Sequence, residues 1–359
     1  MKIASIVGAR PQFIKAASVS REIRKHKKFR EIIIHTGQHF DQNMSDVFFR
    51  EMEIPRPDYN LDIHGKNHGA MTGQMMEKIE KVLLDEKPDI VLIYGDTNST
   101  LAGAISAKKL HITLCHVEAG LRSFNMMMPE EINRILADRI SDVLFCPTEN
   151  AVNNLLNEGF KTFECKFVNS GDVMFDSMIF YSKISAEKST IINKLKLTDF
   201  ILCTVHRAEN TDNTHRLNSI VSALNQINKN IRIVLPLHPR TKKIIEQNNL
   251  ETNFLVIDPV GYFEMIELIK HSSLVITDSG GLQKEAFFLK KHCVTLRDET
   301  EWTELVDNGF NTIATTDERV IIDKVGEMLH KRSDFSVNLY GSGNASKIIV
   351  DTISSHLQS

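Results

Sequence analysis

Three short segments of this 359-residue sequence place a carboxylate beside an apolar run. Asp96 follows Asp89–Tyr94 in Gly95-Asp96-Thr97-Asn98-Ser99-Thr100. Glu118 follows Ile112–Val117 in His116-Val117-Glu118-Ala119-Gly120-Leu121-Arg122. Glu131 lies in Pro129-Glu130-Glu131-Ile132-Asn133-Arg134. Two of them have a plain structural reading. Asp96 is a candidate N-cap. A Pro and two carboxylates in a first helical turn suit the helix dipole. A Glu at a strand end near an Arg is harder to explain as structure. The surplus is the informative part. Carboxylates gathered at one sheet edge repel, which raises the proton affinity of some of them. Such groups can serve as base and acid near neutral pH.

A second set of loops carries groups suited to anions. Phe200–Val205 ends in His206-Arg207-Ala208-Glu209-Asn210, and Ile231–Leu237 ends in His238-Pro239-Arg240. Leu274–Thr277 runs into Asp278-Ser279-Gly280-Gly281-Leu282-Gln283-Lys284-Glu285-Ala286, a Gly-containing turn opening a helix. Free N–H groups and the dipole at such a helix start favour a phosphate. Glu285, in the first turns, can accept paired hydrogen bonds from ribose hydroxyls. The segment lacks the P-loop Lys-Ser/Thr and the GxGxxG spacing, which argues against a Walker ATPase and a standard NAD site. Nearer the start, Gly8-Ala9-Arg10-Pro11-Gln12 precedes a helix containing Lys15, and Arg10 offers a planar fork for phosphate or carboxylate. One half of the chain offers carboxylates and the other phosphate and ribose contacts, which fits a nucleotide-sugar.

These loops need elements to hold them. Strands are expected at Lys2–Val7, Glu31–Thr36, Asp89–Tyr94, Ile112–Val117, Asp142–Cys146 and Lys166–Val168. A second series is expected at Phe200–Val205, Ile231–Leu237, Phe254–Ile257, Leu274–Thr277, His292–Leu296 and Asn311–Ala314. The runs are nearly continuously apolar, as in parallel strands covered on both faces. Helical stretches alternate with them, which predicts an α/β protein of two Rossmann-like doubly wound domains with the ligand cleft between them. We expect an N-terminal domain over 1–169, a second over 170–340, and a C-terminal helix in 341–359 that packs back on the first.

Composition narrows the partners. The formal net charge is −3, with 42% hydrophobic and 25% charged residues. Nucleic-acid binding needs a concentrated Lys/Arg surface, and none is evident. No apolar run approaches the ~20 residues of a membrane span. The five cysteines form no CxxC pair and read as buried thiols in a reducing cytoplasm.

The sequence resembles the non-hydrolysing UDP-N-acetylglucosamine 2-epimerases. The match runs from Gly8-Ala9-Arg10-Pro11 through the Asp96, Glu118 and Glu131 segments, His206-Arg207, Asp278-Ser279-Gly280-Gly281 and Arg297-Asp298-Glu299-Thr300-Glu301 to Tyr340-Gly341-Ser342-Gly343. It covers essentially the whole chain in order. The resemblance implies a glycosyltransferase-B-like pair of domains, a homodimer, and no metal or nicotinamide cofactor. It implies elimination of UDP to a 2-acetamidoglucal and re-addition with C2 inverted. Asp96, Glu118 and Glu131 would be the catalytic carboxylates, with His206 beside them. Arg10, Lys15, Arg122, Arg134, His206, Arg207, Ser279, Gly280, Gly281, Glu285 and Arg297 would bind the UDP-sugar.

Some positions depart from the family pattern. Ala9 and Gln12 stand where many members have Thr and Glu. Thr300-Glu301-Trp302-Thr303-Glu304 stands for Thr-Glu-Arg-Pro-Glu, and Met126-Met127-Met128 replaces a loop that often carries Arg or Asn. With Gln38-His39-Phe40-Asp41, these features look more like the branch acting on UDP-2,3-diacetamido-2,3-dideoxyglucuronate. The paired glutamines of members activated by a second UDP-GlcNAc are half matched, by Gln38 with Asp41 at the other position. Activation of that kind is expected to be weak or absent. The competing readings are a glycosyltransferase of the same architecture, a hydrolysing 2-epimerase and a non-catalytic UDP-sugar sensor.

Overall fold

The computed structural model describes residues 1–38, 49, 53, 56–237 and 239–356. His39, Phe40, Asp41 and His238, all named above, lie outside the described residues. The chain divides into two compact units: Met1–Ile179 with Asn338–Ser359, and Phe180–Val337.

In the first unit the described strands are β1 (Lys2–Val7), β2 (Arg30–His35), β3 (Tyr59–Asn60), β4 (Ile90–Tyr94), β5 (Thr113–Val117), β6 (Val143–Cys146) and β7 (Lys166–Asn169). They form one sheet in the order β3-β2-β1-β4-β5-β6-β7, and every pairing is parallel. The described helices are α1 (Arg10–Lys25), α2 (His68–Glu86), α3 (Asn98–Lys109), α4 (Pro129–Ile140) and α5 (Glu149–Asn157), with α6 (Val173–Lys188) starting in this unit and ending in the next. All five residues of β4 are buried, as its unbroken apolar run requires of a strand sandwiched between helix layers.

The second unit has β8 (Phe200–Thr204), β9 (Arg232–Pro236), β10 (Leu255–Ile257), β11 (Leu274–Thr277), β12 (Cys293–Thr295) and β13 (Asn311–Ile313). Their order is β10-β9-β8-β11-β12-β13, again parallel. Its helices are α7 (Ile191–Leu195), α8 (Ala208–Thr211), α9 (Thr214–Ile227), α10 (Pro239–Gln247), α11 (Tyr262–His271), α12 (Gly280–Phe288), α13 (Thr303–Asp307) and α14 (Glu318–His330). Each sheet therefore has a doubly wound order whose direction reverses once, between β1 and β4 and between β8 and β11. That reversal opens a crevice at the strand C-ends. The fold class expected from the sequence is the one observed. Tyr59–Asn60 was not anticipated, because a two-residue strand carries no periodic signal.

The last helix, α15 (Ala345–His356), packs on α1. Asp176 on α6 accepts hydrogen bonds from the Ala345 and Ser346 amides at 3.1 and 2.7 Å and so caps it. The chain reaches it through Gly341, whose φ of 81° and close approach to Gly171 leave no room for a Cβ. No helix among the described residues is long and apolar enough to cross a membrane.

His35, at the end of β2, is 2% exposed and lies edge-on to Phe13 with ring centroids 5.0 Å apart. Burial pushes its imidazole down to about 4 from 6.5, against a small opposing pull from Asp62. The unfolded chain takes up this proton below pH 6.5, whereas the folded chain resists until about pH 4. Stability is therefore complete above that window and is lost as pH falls through it. Between pH 7.5 and 5, the protein is expected to lose about 2 kcal/mol more stability than His35→Phe. Urea unfolding at the two pH values checks this, and equal losses in both proteins would show that the folded imidazole charges freely.

Candidate active site

The first unit gathers its candidates around the β1/β4 reversal. Gln12, 1% exposed, accepts hydrogen bonds at Oε1 from the Gly8 and Ala9 amides, at 2.8 and 3.0 Å. Its Nε2 donates to Tyr94 O at 2.7 Å and Thr100 Oγ1 at 2.9 Å. An ionised Glu could not donate these two bonds, so the amide ties the first loop to the end of β4. One turn further along α1, Lys15 Nζ lies 2.5 Å from Glu118 Oε1, with each side chain 8% exposed. Glu118 leaves β5 in the left-handed region at φ 73°, and the amides of Glu118 and Ala119 both donate to Phe145 O. A non-glycine residue there costs on the order of 1 kcal/mol, which the surrounding bonds must offset.

Asp96 is not a helix cap. Thr97 takes that place on α3, its side chain accepting from the Thr100 amide, and Asp96 Oδ2 instead meets Arg134 Nη2 at 2.5 Å. Arg134 Nη1 bonds Glu131 Oε2 at 2.9 Å, so one guanidinium holds two candidate carboxylates. Glu131, 1% exposed, also accepts from Ser123 N and Oγ and from Phe124 N. Burial by itself would raise its pKa, but the bonds from Ser123, Arg134 and Phe124 outweigh that and hold it below the usual carboxylate value. At Glu131 the shift thus runs opposite to the one expected from crowding. The reason is that Glu131 meets donors from Ser123, Arg134 and Phe124 rather than another carboxylate. Arg122 turns inward, donating to Glu158 through Nε and Nη2 and to Asp138 and Leu121 O through Nη1. Arg10 is the first residue of α1. Met126 and Met127 are exposed.

In the second unit, His206 follows β8 and directs Nδ1 at Asp278 Oδ1, 3.1 Å away, while its side chain is 53% exposed. The His206 and Arg207 amides also donate to Asp278 Oδ2, both at 3.0 Å. Asp278 is fully buried. Burial would raise its pKa, yet the His206 pairing and these amide bonds bring it below the ordinary Asp value. The ionised carboxylate thereby holds the Nδ1–H tautomer and leaves Nε2 for a ligand. Asp278 has no role among the site residues expected from the sequence. A buried acid at the strand next to a His-Arg pair was the available signal.

Ser279 is the N-cap of α12 and makes no side-chain capping bond. A Cβ at Gly280 would collide with the Glu301 carboxylate, whereas one at Gly281 would meet nothing. The helix start is thus narrow on one side and open on the other. Glu285 is 7% exposed on α12, and Arg297 donates to Glu301 Oε2 at 2.8 Å. Lys284 lies 3.9 Å over the Trp302 ring, so this Trp has a structural role as a cation–π partner. A separate cavity of about 510 Å³ in this unit is lined by Ile191, Leu195, Leu237, Lys242, Pro259 and Gly261, and none of the predicted site residues lines it.

The contacts join Lys15 to Glu118, Asp96 to Glu131 through Arg134, and His206 to Asp278. Such paired carboxylates at one reversal, with a phosphate-ready helix start at the other, are what a nucleotide-sugar enzyme requires. A sequence model of UDP-N-acetylglucosamine 2-epimerase matches residues 21–354. The chain belongs to this family. Among its relatives, the UDP-2,3-diacetamido-2,3-dideoxy-D-glucuronate 2-epimerase of Pseudomonas aeruginosa is 57% identical, over 98% of this chain and 99% of its own. The UDP-N-acetylglucosamine 2-epimerase of Methanococcus maripaludis is 46% identical over 98% of each chain. The crystal structure of the Methanocaldococcus jannaschii UDP-GlcNAc 2-epimerase with UDP-GlcNAc and UDP superposes with a TM-score of 0.91 at 43% identity, covering 99% of this chain and 100% of that one. This epimerase is accordingly an isomerase of α/β, glycosyltransferase-B-like fold.

Proposed function

We propose that this epimerase inverts C2 of a UDP-linked 2-acetamido sugar without releasing the sugar as a hydrolysed product. The C1–O bond to UDP breaks with its electron pair passing to the β-phosphate oxygen. Positive charge at C1 makes the C2 proton removable, and a carboxylate takes it to leave the 2-acetamidoglucal. A proton then returns to the other face of C2 as the UDP oxygen re-forms the bond to C1. The observation that carries this reading is the trio Asp96, Glu118 and Glu131, each paired with Lys15 or Arg134. A sensor or a transferase has no need of three acids held against Lys15 and Arg134 at one sheet edge. His206 with Nε2 free, Arg10, Arg207 and the amides from Ser279 to Gly281 serve the phosphates. Glu285 serves the ribose, Arg297 supports the helix start through Glu301, and Arg122 holds the Glu118 loop through Asp138.

For the substrate we put UDP-2,3-diacetamido-2,3-dideoxyglucuronate first and UDP-GlcNAc second. The P. aeruginosa relative at 57% identity supports that order over the M. maripaludis relative at 46%. The enzyme works in the cytoplasm as a homodimer, a reading supported by five free thiols and by the family resemblance. It needs no metal or nicotinamide.

Proton NMR of the enzyme with each UDP-sugar in D₂O tests the proposal. Deuterium should enter C2, and the manno epimer should appear still joined to UDP, faster with the diacetamido-uronate. Free sugar in place of the UDP-linked epimer would mark a hydrolysing enzyme. No exchange with either substrate would refute the epimerase reading.

A further inference from the structure

Asp138 lies at the centre of a buried network that none of the expected roles uses. It is fully buried on α4, four residues after Arg134 and seven after Glu131, so all three share one helix face. Its Oδ1 faces His116 Nδ1 at 2.7 Å, and His116 Nε2 faces Gly95 O at 2.7 Å. Each nitrogen of this buried ring thus meets an oxygen, one on Asp138 and one on the Gly95 backbone. Gly95 is the residue before Asp96. Asp138 Oδ2 accepts from the Gly120 amide at 3.0 Å and from Arg122 Nη1 at 2.7 Å, two and four residues beyond Glu118. Asn154 Nδ2 donates to Gly120 O at 3.0 Å, and a Cβ at Gly120 would strike Ala151 O, so the loop has no slack. On the same helix, Asn133 Nδ2 donates to Asp96 O at 2.8 Å. A buried carboxylate is costly unless its acceptor sites are filled, and here they are filled by groups belonging to the loops of other candidates.

We propose that Asp138 is the positioning residue that sets the three candidate carboxylates in register: Asp96 through His116 and Gly95, Glu118 through Gly120 and Arg122, and Glu131 through their shared helix. The role rests on the epimerisation proposed above. It touches no substrate atom. Its effect is to keep the loops after β4 and β5 and the first turn of α4 from shifting relative to one another, because small misplacements of reacting groups are expensive in rate.

The test compares the unaltered enzyme with Asp138→Asn and His116→Gln. kcat for C2 inversion is read by NMR, and the Kd for UDP by calorimetry. Asp138→Asn should lower kcat by about 10²-fold and His116→Gln by about 10-fold. UDP affinity should stay within about threefold in both, since the groups assigned to UDP lie mainly in the other unit. If Asp138→Asn does not fold, His116→Gln decides alone. Folded variants with kcat within about threefold of the unaltered enzyme would overturn the role, as would a kcat loss matched by an equal loss of UDP binding. An unaltered enzyme that exchanges no deuterium at C2 would overturn the reaction and this role together, an outcome distinct from the other two.

Discussion

Glu118→Gln is expected to lower kcat by about 10²-fold or more with little change in UDP affinity. The substitution preserves shape and removes the one group able to take up a proton there. Glu118 is nearly fully buried, sits against the Lys15 ammonium and is held in a left-handed backbone conformation that most residues avoid. A structure that maintains a charged side chain in a strained turn at a sheet's reversal point does so most reasonably for the chemistry of that side chain. The Lys15 ammonium fixes where the Glu118 carboxylate lies. Steady-state rates for the purified variant, with calorimetry for UDP, check this. Turnover equal to the parent enzyme's would remove Glu118 from the scheme and leave Asp96 and Glu131 to carry it.

Arg134→Met should cost both rate and stability. Arg134 is 6% exposed at its side chain and bonds Asp96 and Glu131 at once. Removing one partner from a buried ion pair typically costs about 3–5 kcal/mol, because the remaining charge is left uncompensated. Glu131, 1% exposed, would bear most of that, while Asp96, with a quarter of its side chain exposed, is partly rescued by water. With the guanidinium gone, one of the bonds that overcome burial at Glu131 disappears and its proton affinity rises. kcat should fall by about 10²-fold because Asp96 and Glu131 lose the guanidinium that holds both in place. Adding Glu131→Gln removes the stranded charge, so the double variant should regain part of the lost stability in urea unfolding. A double variant no more stable than Arg134→Met would show that the pair is not coupled.

Much of this molecule was legible before its fold was known. The Lys2–Val7 and Leu274–Thr277 strands fall where their apolar runs begin and end, and most others agree to within a residue at each end. Those runs are unbroken because parallel strands are covered on both faces, and that pattern is local. The loops that follow them were readable for the same reason: polar groups and glycines immediately after a buried strand have no core to pack into. Asp96, Glu118 and Glu131 were therefore visible as candidates from residue type and place alone.

The pairings were not legible, because they depend on which strands become neighbours. Lys15 and Glu118 are 103 residues apart and meet only once β1, β4 and β5 lie side by side. Asp96 read as a possible cap until Thr97 took that role and freed it for Arg134. Arg122 read as a ligand group, yet the fold closes it onto Asp138 and Glu158. Asp138 itself gave no signal, since an acid inside an amphipathic helix is ordinary until a His and an Arg from another element arrive at its two oxygens. Residue chemistry and the strand pattern were thus set by the sequence alone. The protonation state and aim of each acid were decided by tertiary structure, because charges and hydrogen-bond donors act across space over a few ångströms and strand order determines which of them come that close.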